Sequence, residues 1–263
     1  MNLAEAFAAQ SATCAAMGSP FMGQLFKLLA QDWPHSSALG QKFAQFAGDI
    51  GPAGHSLPLR IAGGLHALVL SDAAPELAAV YPPQVASDAA LRAAVLSTLQ
   101  AHEEFLLNWT DSPPQTNEVR RSAALIAGAR VAVSHFDLPV YLSELGASGG
   151  LNLMWDHYAL EVNGTSFGPE EPALTLRPKW TGSLPPARAP KIAERGGVDL
   201  IPQDPKNPTD LLRLTAYLWA DQPERLTLTR AATRIMDAPI FKGDAIDWLA
   251  PRLTDAPLSL IHI

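Results

Sequence analysis

A glycine-rich turn preceded by an acidic residue is the stretch of the sequence best suited to chemistry. It runs Glu144-Leu-Gly146-Ala-Ser148-Gly-Gly150 and follows a short apolar segment. Gly146 permits a tight turn and close approach of a ligand to the backbone, while the small Ser148 and Gly150 keep side chains out of the ligand's way. The helix expected after the turn would point its first amides at the ligand. Glu144 can accept hydrogen bonds or pair with a cationic ligand group.

Two later acidic residues could complete the same site. Asp199 and Asp244 each follow a predicted strand, and neighbouring parallel strands present their carboxyl ends at one edge of a sheet. Asp199 suits the two hydroxyls of a ribose, and Asp244 with Ala245 suits an adenine amino group. An acid two positions before the first glycine, as Glu144 is, is typical of S-adenosylmethionine sites, so we predict this cofactor. Glu161 is the alternative second-strand acid, because Asp199 lies beyond the roughly 20 residues usual after such a turn.

Polar residues shortly before the first strand could lie over this pocket. Asn117 and Arg121 are predicted to be substrate or lid residues. Glu118 and His262 are the candidate catalytic bases, since methyl transfer needs a base when the acceptor must lose a proton. The alternative for Asn117, Glu118 and Arg121 is ordinary helix capping and surface charge.

The spacing of apolar residues predicts the elements that position these groups. Residues 1–137 are predicted to form an all-helical cap domain, with helices opening at Ser19-Pro20 and at Ser87 (the latter running to Asp111) and a third over 117–134. Residues 138–263 alternate strands with helices, which predicts an α/β fold with a Rossmann-like, methyltransferase-type parallel sheet. A proline-rich insertion is predicted at about 158–195, beginning with a hairpin that pairs 158–162 with 173–176.

The last residues of the chain form an apolar run, 257–263, that reads as a strand of the sheet. We expect the chain to be truncated here and the sheet to be incomplete at its C-terminus. Residues 258–263 would then form an unprotected sheet edge, and such edges recruit partners. The hypothesis that follows is self-association, as a homodimer, through this edge.

Composition narrows the classes of partner. The 263 residues carry 19 Lys and Arg against 26 Asp and Glu, a net charge of −7, which argues against a nucleic-acid binder. The single cysteine, Cys14, excludes an intrachain disulfide and a multi-thiolate zinc site, and His102 lacks the second histidine of a zinc motif, so no metal is predicted. No membrane segment or leader is evident. We therefore predict a cytoplasmic protein whose partner is a small molecule.

A second interpretation of the turn is a hydrolase. Gly146-Ala-Ser148-Gly-Gly150 also fits the G-x-S-x-G nucleophile elbow, and Asp244 or Asp247 followed by His262 gives the acid and histidine in the order of an α/β-hydrolase. That fold places strands before the elbow, where this sequence predicts helices. A third interpretation is an α/β protein that binds a ligand without catalysis. Ser148→Ala would abolish a hydrolase and barely affect cofactor binding.

Several stretches together resemble a known bacterial family, domain of unknown function 2332. They are Gln115–Val119 with Arg121, Glu144–Leu153, Asp199-Leu200 with Pro202, Ala220–Gln222, and Gly243–Ala245 with Trp248. The likeness spans most of the chain and departs from the family pattern at Arg120, where glycine is usual, and at Ile201, where asparagine is usual. The resemblance implies a methyltransferase-like fold and a chain that continues past the last strand. It names no substrate and no catalytic residue.

Overall fold

The computed structural model describes residues 1–255 and 261–262. The chain forms two compact units that each combine distant segments. The first comprises Met1–Thr116 with Leu212–Pro223, and the second comprises Asn117–Leu211 with Glu224–Ile263.

The first unit is helical. Its helices are α1 (Leu3–Ala16), α2 (Pro20–Asp32), α3 (Ala38–Ala44), α4 (Leu57–Leu70), α5 (Pro75–Ala78), α6 (Asp88–Ala101) and α7 (Glu103–Trp109). Serine side chains cap several of them: Ser19, Ser37 and Ser87 accept hydrogen bonds from amides three residues later. The single helix predicted from Ser87 to Asp111 is wrong, because His102 has φ −117° and ψ 28° and separates α6 from α7.

The segment 212–223 joins the first unit by capping one of its helices. Asp221 accepts hydrogen bonds from the Ser19 hydroxyl at 2.6 Å and from the Phe21 amide at 3.0 Å, at the start of α2. The Gln222 side chain donates to the Gly18 carbonyl at 3.3 Å. A residue about 200 positions away in sequence therefore completes the N-terminus of α2.

The second unit contains the strands. In chain order its elements are a 3₁₀ turn (Val119–Arg121), α8 (Ser122–His135), β1 (Val140–Leu145), a 3₁₀ helix (Leu151–His157), β2 (Ala159–Val162), β3 (Thr165–Phe167), β4 (Thr175–Leu176), β5 (Ile192–Asp199), α9 (Pro208–Ala216), α10 (Pro223–Ile235), β6 (Ile240–Lys242), α11 (Ala245–Asp255) and β7 (Ile261–His262). From Leu212 onward, α9 belongs to the first unit.

Helix α8 lies in the second unit and not with the preceding helices of the predicted 1–137 domain. Its apolar face, including Ile126 and Val133, is buried in one cluster with Val140 and Leu142 of β1. Burial of this face in one cluster with β1 residues explains why the compact unit begins at Asn117 and not near residue 138.

The main sheet has four strands in the order β6-β5-β1-β7. Each neighbouring pair is parallel, with Glu144 opposite Gly197 and Asp199 opposite Lys242. The predicted α/β class is confirmed. The carboxyl ends of β1, β5 and β6, which carry the predicted acids, lie at the same edge of this sheet.

The proline-rich insertion forms a separate sheet of three strands, in the order β3-β2-β4. The predicted hairpin between 158–162 and 173–176 is wrong, because β2 pairs antiparallel with β3 and parallel with β4. Asn163 and Gly164 join β2 to β3 and both have positive φ, 49° and 79°. That conformation is the one a two-residue hairpin turn of this hand requires.

Parts of the predicted C-terminal strand, 257–263, lie outside the described residues, namely 257–260 and 263. The backbone of Ile261 and His262 pairs with β1 as β7, while the predicted site role of the His262 side chain falls outside the described part. Within residues 1–255, none of the helices combines the length and hydropathy that a membrane-spanning segment needs.

Candidate functional site

The glycine turn after β1 is held by two polar side chains from distant parts of the second unit. The Ser148 amide donates to Asp199 Oδ2 at 2.8 Å. On the other side, the Asn117 side chain accepts from the Leu151 amide and donates to the Ala147 carbonyl, both at 2.9 Å. Asn117 is 5% exposed. The residue predicted to be a lid therefore clamps the turn itself.

The turn depends on left-handed backbone conformations. Gly146, Ser148 and Gly150 have φ of 68°, 51° and 68°, a region that residues with a Cβ adopt at a cost. A Cβ on Gly150 would also lie 2.5 Å from Met236 Cε and 2.6 Å from Ile240 Cδ1, whereas one on Gly146 would meet open space. Gly150 is thus favoured by its φ, and a side chain there would also displace the ends of Met236 and Ile240.

Several amides of the turn are already engaged within the protein. Gly146 and Ala147 both donate to the Val198 carbonyl, at 2.9 and 3.1 Å, and Leu151 donates to Asn117. The element after the turn is a 3₁₀ helix and not an α-helix. The expected α-helix after the turn is therefore wrong, and the amides that hold the turn together are not available to a ligand.

Asp199 connects the ends of the strands. Its Oδ1 accepts the Ile201 amide at 2.8 Å, and its carbonyl accepts the Gly243 amide at 3.0 Å. Because its Oδ2 holds Ser148, Asp199 touches the loops that follow β1, β5 and β6. The competing acid, Glu161, lies in β2 of the separate sheet and pairs with Arg177 at 2.8 Å. Asp199 is accordingly the acid that ends the strand beside β1.

Asp244 follows β6 and caps α11. Its Oδ1 accepts the amides of Ile246 at 2.8 Å and Asp247 at 3.3 Å, and Ala245 begins the helix. The side chain is exposed. Asp244 is therefore at the predicted edge of the sheet, and the role that the structure gives it is that of a helix cap.

Glu144 lines a cavity of about 220 Å³ that we call the Glu144 cavity. Its walls are formed by Arg121, Leu125, Leu142, Ser143, Glu144, Asn152, Leu153 and Trp155. The Asn152 side chain lies near the Glu144 carboxyl and accepts from the Ser122 hydroxyl at 2.9 Å. Glu144 Oε2 is buried and has no hydrogen-bond partner among the described residues. A buried oxygen in this state favours a ligand that donates to it.

The ionisation of Glu144 is shifted by its surroundings. Burial raises the pKa of the Glu144 carboxyl to about 7, against the opposing effects of the Asn152 side chain and the Arg121 charge. A carboxyl with this pKa exchanges its proton near neutrality, which is a property common to functional sites. A cation bound beside it would favour the ionised form.

Glu118 lies in an arginine network close to the turn. Its Oε1 accepts from Arg120 Nε at 3.0 Å, and its Oε2 accepts from Arg225 Nη2 at 2.6 Å. Burial raises the pKa of Glu118, but the hydrogen bonds and charges of Arg120 and Arg225 outweigh it, so the net pKa is lowered. An ionised, doubly paired carboxylate is a weak proton acceptor, and the predicted role of Glu118 as a base stays a prediction.

The burial of Ser148 bears on the hydrolase interpretation. The Ser148 residue is 3% exposed, so a substrate carbonyl has little access to it in this conformation.

Among residues 1–254, no three His, Cys, Asp or Glu side chains are grouped closely enough to hold a metal ion.

A comparison with known families covers nearly the whole sequence. Residues 4–263 match the family described as "Uncharacterized protein conserved in bacteria (DUF2332)". The chain belongs to this family. No curated protein matches the DUF2332 chain, and no solved structure does.

Two contributors to the site in this DUF2332 protein were missed by sequence reasoning. Asn152 is an amide inside the apolar run Leu151–Trp155, and a buried amide in such a run needs a partner, so a signal for it was present. Arg225 reaches Glu118 from α10, more than 100 residues away in sequence, and no local pattern marks it.

Proposed function

We propose that this protein is a methyltransferase-like protein that binds S-adenosylmethionine, or its product S-adenosylhomocysteine, at the carboxyl edge of the four-stranded sheet. The observation that carries the proposal is the contact between Asp199 and the turn after β1, because it sets the acid of one strand against the glycine turn of its neighbour. When bound, the cofactor would supply an activated methyl group.

The order of the strands supports this location. With β1 central, β5 and β6 on one side and β7 on the other, the sheet begins as doubly wound Rossmann-like sheets do. In such sheets ligands bind outside the carboxyl ends of the strands, near the point where the strand order reverses. Glu144 and Asp199 lie at the ends of β1 and β5, and Asp244 follows β6.

The residues of the Glu144 cavity fit the charged end of the ligand. The unpartnered Glu144 Oε2 would accept a hydrogen bond from an ammonium group, and Arg121 would face a carboxylate. Trp155 and leucine side chains form the apolar wall. Each Asp199 oxygen already accepts one amide, and the second lone pair of each remains suited to ribose hydroxyls.

Transfer of the methyl group requires positioning more than proton chemistry. The chain must hold the acceptor in line with the carbon–sulfur bond and exclude water. A methyl group would pass to a nucleophilic atom of the acceptor, while the sulfur keeps the electron pair of the broken bond. Arg120 and Arg225 hold Glu118 as a carboxylate, which suits anchoring of the segment 117–121.

Calorimetry tests the proposal directly. We expect saturable binding of S-adenosylmethionine and S-adenosylhomocysteine and much weaker binding of ATP, which shares the adenosine but lacks the amino acid. Glu144→Gln keeps the shape of the side chain and should weaken binding by about 10- to 100-fold, the effect of losing one charge-assisted contact. Glu171→Gln, at an exposed position, is the matched control. The absence of saturable heat with both ligands would overturn the proposal.

Proton release gives a second readout. Since burial raises the Glu144 pKa to about 7, a bound cation should displace the proton that the free protein holds there. Binding heats in buffers of different ionisation enthalpy should therefore differ for the wild type at about pH 7 and agree for Glu144→Gln. Equal proton release by both proteins would remove Glu144 from the site.

A further inference from the structure

A second and larger cavity lies elsewhere in the second unit, and we call it the basic cleft. Its volume is about 660 Å³, which is within the range of small-molecule sites, about 300–1,000 Å³. One wall is β4 with the three residues after it, and the other is formed by Arg120, Ala123 and the first turns of α10. None of its lining residues lines the Glu144 cavity.

The charge of the basic cleft is opposite to that of the chain. Arg120, Arg177 and Lys179 line it together with one acid, Glu224, whereas the whole chain has a net charge of −7. Lys179 is exposed, and within residues 1–254 no carboxylate pairs with it. Its ammonium group is accordingly available to a ligand.

The arginines of the basic cleft are paired with carboxylates. Arg120 and Arg225 share the Glu118 carboxylate, at 3.0 and 2.6 Å. Arg225 also interacts with Glu224 of the cleft wall, so two carboxylates face these two guanidinium groups. Arg177 is paired with Glu161, but its side chain is 66% exposed, and exposed pairs of this kind are weak enough to exchange partners.

The floor of the basic cleft is apolar. Leu176 is 2% exposed, and Ala123 and Leu228 lie beside it; both belong to or pack against the core of the unit. A cationic rim over an apolar floor matches a molecule that has an anionic headgroup and an apolar body.

We propose that the basic cleft binds an organic anion, a carboxylate or phosphate ester attached to an apolar body. Lys179 and Arg177 contact the headgroup, and Leu176 and Leu228 contact the body. The site is independent of the proposed cofactor site, because it uses different residues and requires no S-adenosylmethionine.

Titration calorimetry of the chain with four probes tests this assignment. Octyl phosphate and octanoate carry both an anionic headgroup and an apolar body. Octanol carries only the apolar body, and inorganic phosphate carries only an anionic headgroup. We expect one octyl phosphate or octanoate per chain, with octanol and inorganic phosphate at least about tenfold weaker. The amphipathic anion that binds more tightly identifies the headgroup that the basic cleft prefers. Added salt should weaken the binding of both amphipathic anions.

Variants locate the binding. Lys179→Ala should weaken binding of the anion by about fivefold, and Lys179→Ala with Arg177→Ala by more. Lys191→Ala, at an exposed lysine of the same unit outside the basic cleft, is the control and should leave binding unchanged. Both positions are exposed, so the variants should fold. No saturation by either amphipathic anion at about 1 mM, equal affinity for octanol, or an equal loss in Lys191→Ala would overturn the proposal.

Discussion

The Asp199 carboxylate accepts the Ser148 backbone amide at 2.8 Å, so the acid at the end of β5 holds the glycine turn that follows β1. Its other oxygen holds the Ile201 amide, also at 2.8 Å. Ser148 has positive φ, 51°, and this contact fixes a conformation that a serine would otherwise avoid. Asp199 is therefore a structural part of the turn before any ligand binds.

Replacing Asp199 should destabilise the second unit. Asp199→Ala removes two acceptors of backbone amides and should lower the free energy of unfolding by about 1–3 kcal/mol, the cost of leaving a polar group unsatisfied. Asp199→Asn keeps one acceptor oxygen and should cost less. Urea unfolding measures both, and Asp237→Ala, at an exposed position, is the control. Equal stability of Asp199→Ala and wild type would contradict a role in holding the turn.

The two glycines of the turn form a matched pair for a second prediction. Gly146 and Gly150 have the same φ of 68°, but a Cβ has open space only at Gly146. Gly146→Ala should cost about 1 kcal/mol from backbone strain. Gly150→Ala must also displace the ends of the Met236 and Ile240 side chains and should cost about 1 kcal/mol more, because these ends are flexible. Thermal unfolding of the two variants compares them directly, and a smaller loss at Gly150 would contradict the packing argument.

The parts of the site that local sequence patterns encode were predictable. The strand, the glycine turn and Asp199 all follow from short-range patterns, because a parallel strand must end in a turn and its neighbour must end at the same edge. The hairpin at Asn163-Gly164 was predictable too, since this dipeptide is a strong turn signal. The predicted partner, 173–176, pairs with β2 in parallel and so cannot form the hairpin.

The rest of the site depends on tertiary contacts that no local pattern encodes. Asn117 clamps a turn 30 residues later, and Arg225 pairs with Glu118 across more than 100 residues. From the sequence alone, Asn117 could be either a helix cap or a lid residue, because an isolated amide before a helix is compatible with both roles. The segment 117–121 reaches the turn because it leads into α8, whose buried face belongs to one cluster with β1 and the 3₁₀ helix Leu151–His157.

The contact between Asp221 and Ser19 predicts a coupling within the first unit. Asp221 accepts from the Ser19 hydroxyl and the Phe21 amide, and a carboxylate at a helix N-terminus is favourable for the helix dipole. Asp221→Ala should cost about 1–3 kcal/mol and Ser19→Ala about 1 kcal/mol. In a double-mutant cycle the two losses should be less than additive by about 1 kcal/mol. Additive losses would show that the pair does not interact.

Glu144 predicts a pH dependence of stability with a definite sign. Burial raises the pKa of its carboxyl from 4.5 to about 7, so between these values the folded chain holds a proton that the unfolded chain has released. The free energy of unfolding should therefore fall as pH rises through this window, by at most about 1.4 kcal/mol per pH unit. The glutamine side chain of Glu144→Gln is neutral at every pH, so the free energy of unfolding of this variant should not show the decrease. The variant should therefore become more stable relative to wild type from about pH 5 to about pH 7. Urea unfolding across that range measures the difference. Curves that stay parallel, as those of Glu171→Gln and wild type should, would mean that Glu144 titrates alike in both states.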